Sequence, residues 1–202
     1  MARTIPWFVA IALMATSVPA GAGEQLEEFT MVLRTRDDPN VPADLSVCQQ
    51  APFPTNVAIG ASVWAPKVRI KDAQVIKEFA RKVGTATACF LFTDLRFLPF
   101  SRIKVYASFN LPDGVYTGVG ECLVTSNSLP QPGIVLTGCT ATLLDVPDHV
   151  IGGIATTTTL MNVGKVPGYV TGSFMTLRGF RLPRAHGEHG HHDGDHEDAD
   201  ED

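Results

Sequence analysis

The 202-residue sequence contains no Cys-x-x-Cys pair, no His-Glu-x-x-His, no Gly-x-Ser-x-Gly and no glycine-rich nucleotide loop. Each of those chemistries needs its donors at that spacing. Their absence removes support for zinc-ribbon, zinc-protease, hydrolase and nucleotide readings. Charge is sparse, at 18% Asp, Glu, Lys and Arg, and a net charge of −5 argues against nucleic acid held by counterion release. No apolar run reaches the ~20 residues that a membrane-spanning helix needs. Four Cys are too few for a disulfide-dense miniprotein, and the composition is neither collagen-like nor disordered throughout. What is present suits one globular domain, at roughly 100–200 residues per domain.

Both ends differ from the middle. Arg3 is the only charged side chain among the first 23 residues, Trp7 to Met14 is apolar, and Ala20-Gly21-Ala22 has the form of a small-x-small cleavage site. Residues 1–22 therefore read as a secretory signal peptide. No Cys stands at the cleavage point, so no lipid anchor is expected. The processed protein is expected to be secreted or periplasmic, without a membrane span. At the other end, His186 to Asp202 hold five of the six His and eight of the 21 acids, with no Lys or Arg. Residues 24–183 carry 13 acids and 14 bases, so the acidic balance belongs to the tail.

Export places Cys48, Cys89, Cys122 and Cys139 where disulfides persist. Four Cys allow three pairings, and all three stay open at this level.

The periodicity between the ends is two. Phe29, Met31 and Leu33 alternate with Thr30, Val32 and Arg34, and Val57, Ile59, Ala61 and Val63 form a second such row. Ile103, Val105, Ala107 and Phe109 alternate with Lys104, Tyr106, Ser108 and Asn110, the cleanest half-buried strand in the chain. Residues 85–93, 115–125, 133–144, 151–161 and 169–182 are also rich in Val, Ile, Thr and Phe. Pro, Gly and Asp turns separate them. About eight antiparallel strands over residues 23–183 suit an all-β domain. Closing them into a barrel removes the exposed edges. Asp72–Val83 is the one helical candidate, with Asp72 as N-cap; an irregular β excursion fits it equally.

Three segments resemble the allene-oxide-cyclase-like and dirigent-like barrels: Lys82-Val83-Gly84 running on to Cys89 and Thr93, Leu111-Pro112-Asp113-Gly114 leading into a strand, and Gly152-Gly153. The resemblance spans residues 72–182. It implies an eight-stranded antiparallel barrel, often oligomeric, with an apolar cavity that in the family's enzymes holds a flexible hydrophobic substrate while it cyclises. The family's catalytic residues do not align onto this chain, so the carry-over ends at the fold. Placing the Cys89 and Cys122 strands as barrel neighbours pairs Cys89 with Cys122 and leaves Cys48 for Cys139.

Within the folded part, Glu121 is the leading catalytic candidate. If the side shared with Val119 and Leu123 faces the cavity, desolvation raises its pKa and makes it a usable acid or base. The alternative is an outer position or an Arg partner. Arg178, on a face with Phe174, Thr176 and Phe180, is the second candidate, as an anchor for an anionic ligand; a rim position with a buried stem competes. Tyr106 and Tyr116 read as wall packing with satisfied hydroxyls, and His149 as a loop residue. Thr156 to Thr159 invite a hydroxyl array, but strand propensity accounts for them without one.

The tail offers His186, His189, His191, His192 and His196 with Asp193 and Asp195 on a Gly-containing stretch that cannot bury a core and is expected to be disordered. Imidazole with carboxylate suits Zn, Ni or Cu. The expected protein is thus an exported all-β barrel that binds a small apolar ligand, with a metal-collecting tail and no cofactor in the barrel. A cyclase or isomerase, and a ligand-free structural protein, are the alternatives. No clustered acid–base set favours an enzyme.

Overall fold

The computed structural model describes residues 26–71 and 74–182. Eight strands run in chain order: β1 (Glu27–Asp37), β2 (Val57–Lys71), β3 (Gln74–Leu91), β4 (Arg102–Leu111), β5 (Gly114–Ser126), β6 (Ile134–Leu143), β7 (Val150–Asn162) and β8 (Gly172–Arg181). Each pairs antiparallel with the next and β8 returns to β1, so the sheet closes into a barrel. The closure is uneven. β1 pairs with β8 from Glu27 to Arg36 but with β2 only from Arg34 to Asp37. β2 and β3 also outrun the barrel: beyond Trp64 and Lys82 they pair only with each other, as a protruding hairpin. The helical candidate at Asp72–Val83 is therefore corrected, since from Gln74 onward it belongs to β3. Its Val and Phe spacing satisfied a 3.6 period by coincidence, and a long β2 supplied the backbone partner.

The alternating rows are placed as their pattern demands. Ile103, Val105, Ala107 and Phe109 are buried inside the wall, while Lys104 and Asn110 face out. The end of the barrel at the β4–β5 turn is filled by Leu33, Val63, Leu111, Tyr116, Leu143 and Leu177. Each such fully buried side chain contributes about 1.5–3 kcal/mol. The opposite end is plugged from the β3–β4 connection: Phe97 meets Phe92 edge-on at 5.2 Å, and Phe92 stacks on Phe90 at 5.5 Å.

The β1–β2 connection, residues 38–56, is a strap over the outer face of β2, β3 and β4. Asp38 Oδ2 accepts from Ser62 Oγ at 2.5 Å, and this hydroxyl, with the Asn40 amide, holds the Asp38 carboxyl below its usual value. Val41 lies so close to Gly60 that a Cβ there would sit 2.1 Å from its carbonyl oxygen. The Asp44 N–H donates to Thr87 Oγ1, and Asp44 caps a short helix, α1 (Leu45–Gln49), by accepting from the Ser46 N–H. Asn56 closes the strap with bonds to both backbone groups of Phe92.

Two disulfides form, as expected, but not in the pairing that follows from placing the Cys89 and Cys122 strands as neighbours. Cys48 of α1 bonds Cys89, and Cys122 bonds Cys139. β4 lies between β3 and β5, which puts Cys89 about two strand spacings (~4.8 Å each) from Cys122. They also project to opposite faces. Cys89 points out beneath the strap, whereas Cys122 lines the interior directly across the ladder from Cys139. No described helix is long and apolar enough to cross a membrane.

Candidate functional site: the barrel interior

Between the two filled ends lies a cavity of about 100 Å³. Its two sides differ. Ile59, Phe90, Ile103, Val105 and Phe109, from β2, β3 and β4, make an apolar wall. Thr35, Thr137, Thr157, Thr159 and Ser173, from β1, β6, β7 and β8, make a hydroxyl-bearing wall. The lining reaches the rim at Asp37 and Thr171, where the Asp37 N–H donates to the Thr171 carbonyl at 2.8 Å. The Cys122–Cys139 bridge forms part of the wall, with Thr137 Oγ1 3.7 Å from the Cys139 sulfur.

The hydroxyls form a linked set. Thr157 Oγ1 lies 3.1 Å from Thr159 Oγ1, and Thr159 Oγ1 lies 2.8 Å from Ser173 Oγ. The Ser173 N–H donates to Thr35 Oγ1 at 3.1 Å. Two bonds among three hydroxyls use two of their three hydrogens. One hydrogen of that set, and the hydroxyl hydrogen of Thr35, remain to donate to a guest. Among the described residues, Asp37 is the single ionisable side chain in the lining. The arrangement therefore offers apolar contact on one side and hydrogen bonding on the other. It brings no acid–base pair together.

Glu121 is on the outer face, bonded to Arg102 at 2.8 Å, with both side chains substantially exposed. The residues of β5 that turn inward are Tyr116, Gly118, Cys122 and Val124. Both faces of this strand are apolar, so alternation alone left its direction undecided. On the inward face β6 approaches β5 closely: a Cβ on Gly120 would sit 1.9 Å from the Thr140 carbonyl oxygen. The desolvation argument for Glu121 as a catalytic acid or base thus loses its premise. Arg178 is also outside, among exposed Phe174 and Phe180, and its guanidinium holds the Glu28 carboxylate. Neither residue approaches the cavity.

Tyr106 and Tyr116 are buried, as packing residues should be. The Tyr116 hydroxyl donates to Asp113 Oδ2 at 2.7 Å, and burial together with that carboxylate pushes the phenol well above its usual range. His149 Nε2 lies 3.8 Å from the same oxygen, partly exposed in the β6–β7 connection. The residues that sequence reasoning passed over are Thr157 and Thr159. Strand propensity explained the threonine quartet well enough, but alternation puts every second one inside, and that was the available signal. The tail residues His186, His189, His191, His192, His196, Asp193 and Asp195 lie outside the described residues, as do residues 1–22. Among the described residues, no group of His, Cys, Asp and Glu is placed to hold a metal ion.

In comparisons with family models, curated proteins and solved structures, the chain matches none.

Proposed function

We propose that this chain is an exported binding module whose barrel takes a small, mostly apolar guest with one hydrogen-bonding end, and whose tail collects Zn, Ni or Cu. The observation that carries the reading is the two-sided cavity. Its apolar wall would bury the body of the guest, and the spare donors of the Thr157–Thr159–Ser173 set and of Thr35 would fix its polar end. Pockets for drug-sized ligands occupy ~300–1,000 Å³. A guest that fits here has only a handful of heavy atoms, or is the tip of a longer molecule entering by the rim. Export rests on the signal-like residues 1–22, and two formed disulfides agree with it. The resemblance to allene-oxide-cyclase-like barrels rests on its three short motifs and on the closed barrel.

The guest claim is tested with short-chain alcohols. Butanol and pentanol are expected to raise the melting temperature of the natural protein and to leave Ala107→Leu unchanged, because the leucine adds three carbons to a space of about 100 Å³. An equal response from both proteins, or none from either, removes the guest. The second reading, a ligand-free barrel, is favoured by that same volume, which is below the ~150 Å³ of a cavity that admits benzene. It expects no alcohol response.

The metal claim is tested by calorimetry with Zn, Ni and Cu on the full chain and on a chain ending at Pro183. Binding is expected only to the full chain. It is expected to weaken from pH 7.5 to pH 5, as imidazoles with pKa near ~6.5 take up protons. Equal heats from the two chains would remove the metal function.

A further inference from the structure

At the end of the barrel where β8 begins lies a second concavity, a groove of about 670 Å³ that opens outward and shares Thr35, Thr159, Thr171, Gly172 and Ser173 with the interior cavity. Its floor includes Arg34 and Arg36 of β1 and Phe174 of β8. Trp64, at the root of the protruding hairpin, and the 163–171 connection through Val170 flank it. Three observations mark the groove as built for an anion. Arg34 and Arg36 are both exposed, and neither forms an ion pair with a described residue, whereas Arg102, Arg178 and Arg181 do. The Arg34 guanidinium stacks on the Phe174 ring at 4.6 Å, which fixes its plane and leaves its donor edge free. The Trp64 indole nitrogen is buried with no acceptor.

We propose that the groove receives the acidic end of this same chain, Asp193 to Asp202. Charge, spacing and reach all favour that occupant. Eight of the 21 acids of the sequence follow His186, with no Lys or Arg among them. Arg34 and Arg36 are alternate residues of one strand, so their side chains leave the same face about 7 Å apart. The tail carries acids in the same alternation, Asp193-x-Asp195-x-Glu197 and Asp198-x-Asp200-x-Asp202. In an extended chain these carboxylates also share a face at that spacing. Phe174 stands opposite Arg34, and Leu182 follows it by eight residues along β8, a distance of ~26 Å. Eleven residues from Leu182 to Asp193 span up to ~36 Å, whereas six to Glu188 span only ~20 Å. The tail thus reaches the groove from Asp193 onward, and Glu188 does not. The arginines passed on the way, Arg178 and Arg181, are already engaged by Glu28 and Glu27. Tethering supplies an effective concentration in the millimolar range, at which two modest ion pairs suffice.

The test is cleavage of the full natural chain by a Glu-specific protease, with chelator present, following the ratio of cutting after Glu197 to cutting after Glu188. Glu188 is an internal reference that cannot reach the groove. At ~10 mM salt, where screening acts only beyond ~30 Å, the ratio is expected to be about five-fold lower in the natural chain than in Arg34→Gln/Arg36→Gln. At ~1 M salt the two chains should converge. Arg102→Gln, which removes an arginine held by Glu121 elsewhere on the wall, should behave as the natural chain. The proposal is overturned if the ratio ignores Arg34 and Arg36, or if Arg102→Gln raises it equally. Protection that grows with protein concentration also overturns it, because the tail would then be docking on a second copy.

Discussion

Replacing Cys48 and Cys89 together by alanine is expected to lower the unfolding free energy by about 4 kcal/mol. The bridge closes 41 residues of chain, and the entropy removed from the unfolded ensemble rises with the logarithm of that length. The Cys122–Cys139 bridge closes 17 residues, for which the same relation gives about 3 kcal/mol. The order also follows from position. Cys122 and Cys139 already face each other across a hydrogen-bonded ladder, which holds them without the bridge. Cys48 sits in a five-residue helix with no buried side chain of its own. Losing its bridge leaves the strap to Asp38, Asp44 and Asn56, and uncovers the outward side of Cys89 and Thr87. Denaturant unfolding of the two double variants measures this. A larger loss from the Cys122 pair than from the Cys48 pair would contradict it.

The second large effect is at Tyr116, which is fully buried and part of the core that fills the barrel at the β4–β5 turn. Tyr116→Ala is expected to cost about 3–5 kcal/mol, the range for removing a buried aromatic ring. Tyr116→Phe keeps the ring and loses the bond to Asp113, at about 1–2 kcal/mol. The two variants also differ with pH. Burial first, then the Asp113 bond and charge, raises the phenol above its ordinary value of about 10. The fold therefore favours the neutral phenol. That contribution is fully present below pH ~10 and is lost as the pH climbs from there toward the raised value, because only the unfolded chain releases the proton. Melting temperature should fall more steeply above pH 10 in the natural protein than in Tyr116→Phe. Parallel curves would show that the phenol ionises freely in the fold.

How far the site could be read from the residues follows from what alternation encodes. β4 was legible in full, because Ile103, Val105, Ala107 and Phe109 are apolar and their neighbours are polar. β5 was legible as a strand but not in its direction. Val119, Glu121 and Leu123 on one side compete with Gly118, Gly120, Cys122 and Val124 on the other, and only the closed barrel shows which set lies inside. The strap left no periodic signal. Its four prolines and short helix depend on Ser62, Thr87 and Cys89, which are remote in sequence and converge only on the finished wall. The outer groove was illegible for the same reason, since Arg34, Trp64 and Phe174 come from three strands.

The sequence by itself determined an all-β chain of about eight strands, the boundaries of most of them to within a few residues though not the long β2–β3 hairpin, and the closure that an antiparallel meander of this length tends toward. Side-chain period and turn residues are local properties, and both are written along the chain. Only the tertiary structure decided which cysteines meet, which face of β5 looks inward, that Thr157 and Thr159 stand in the cavity beside Ser173, and that Glu121 and Arg178 stand outside it. Those are relations between strands. They are set by register and by the space inside the closed wall, and no single segment of the chain carries either.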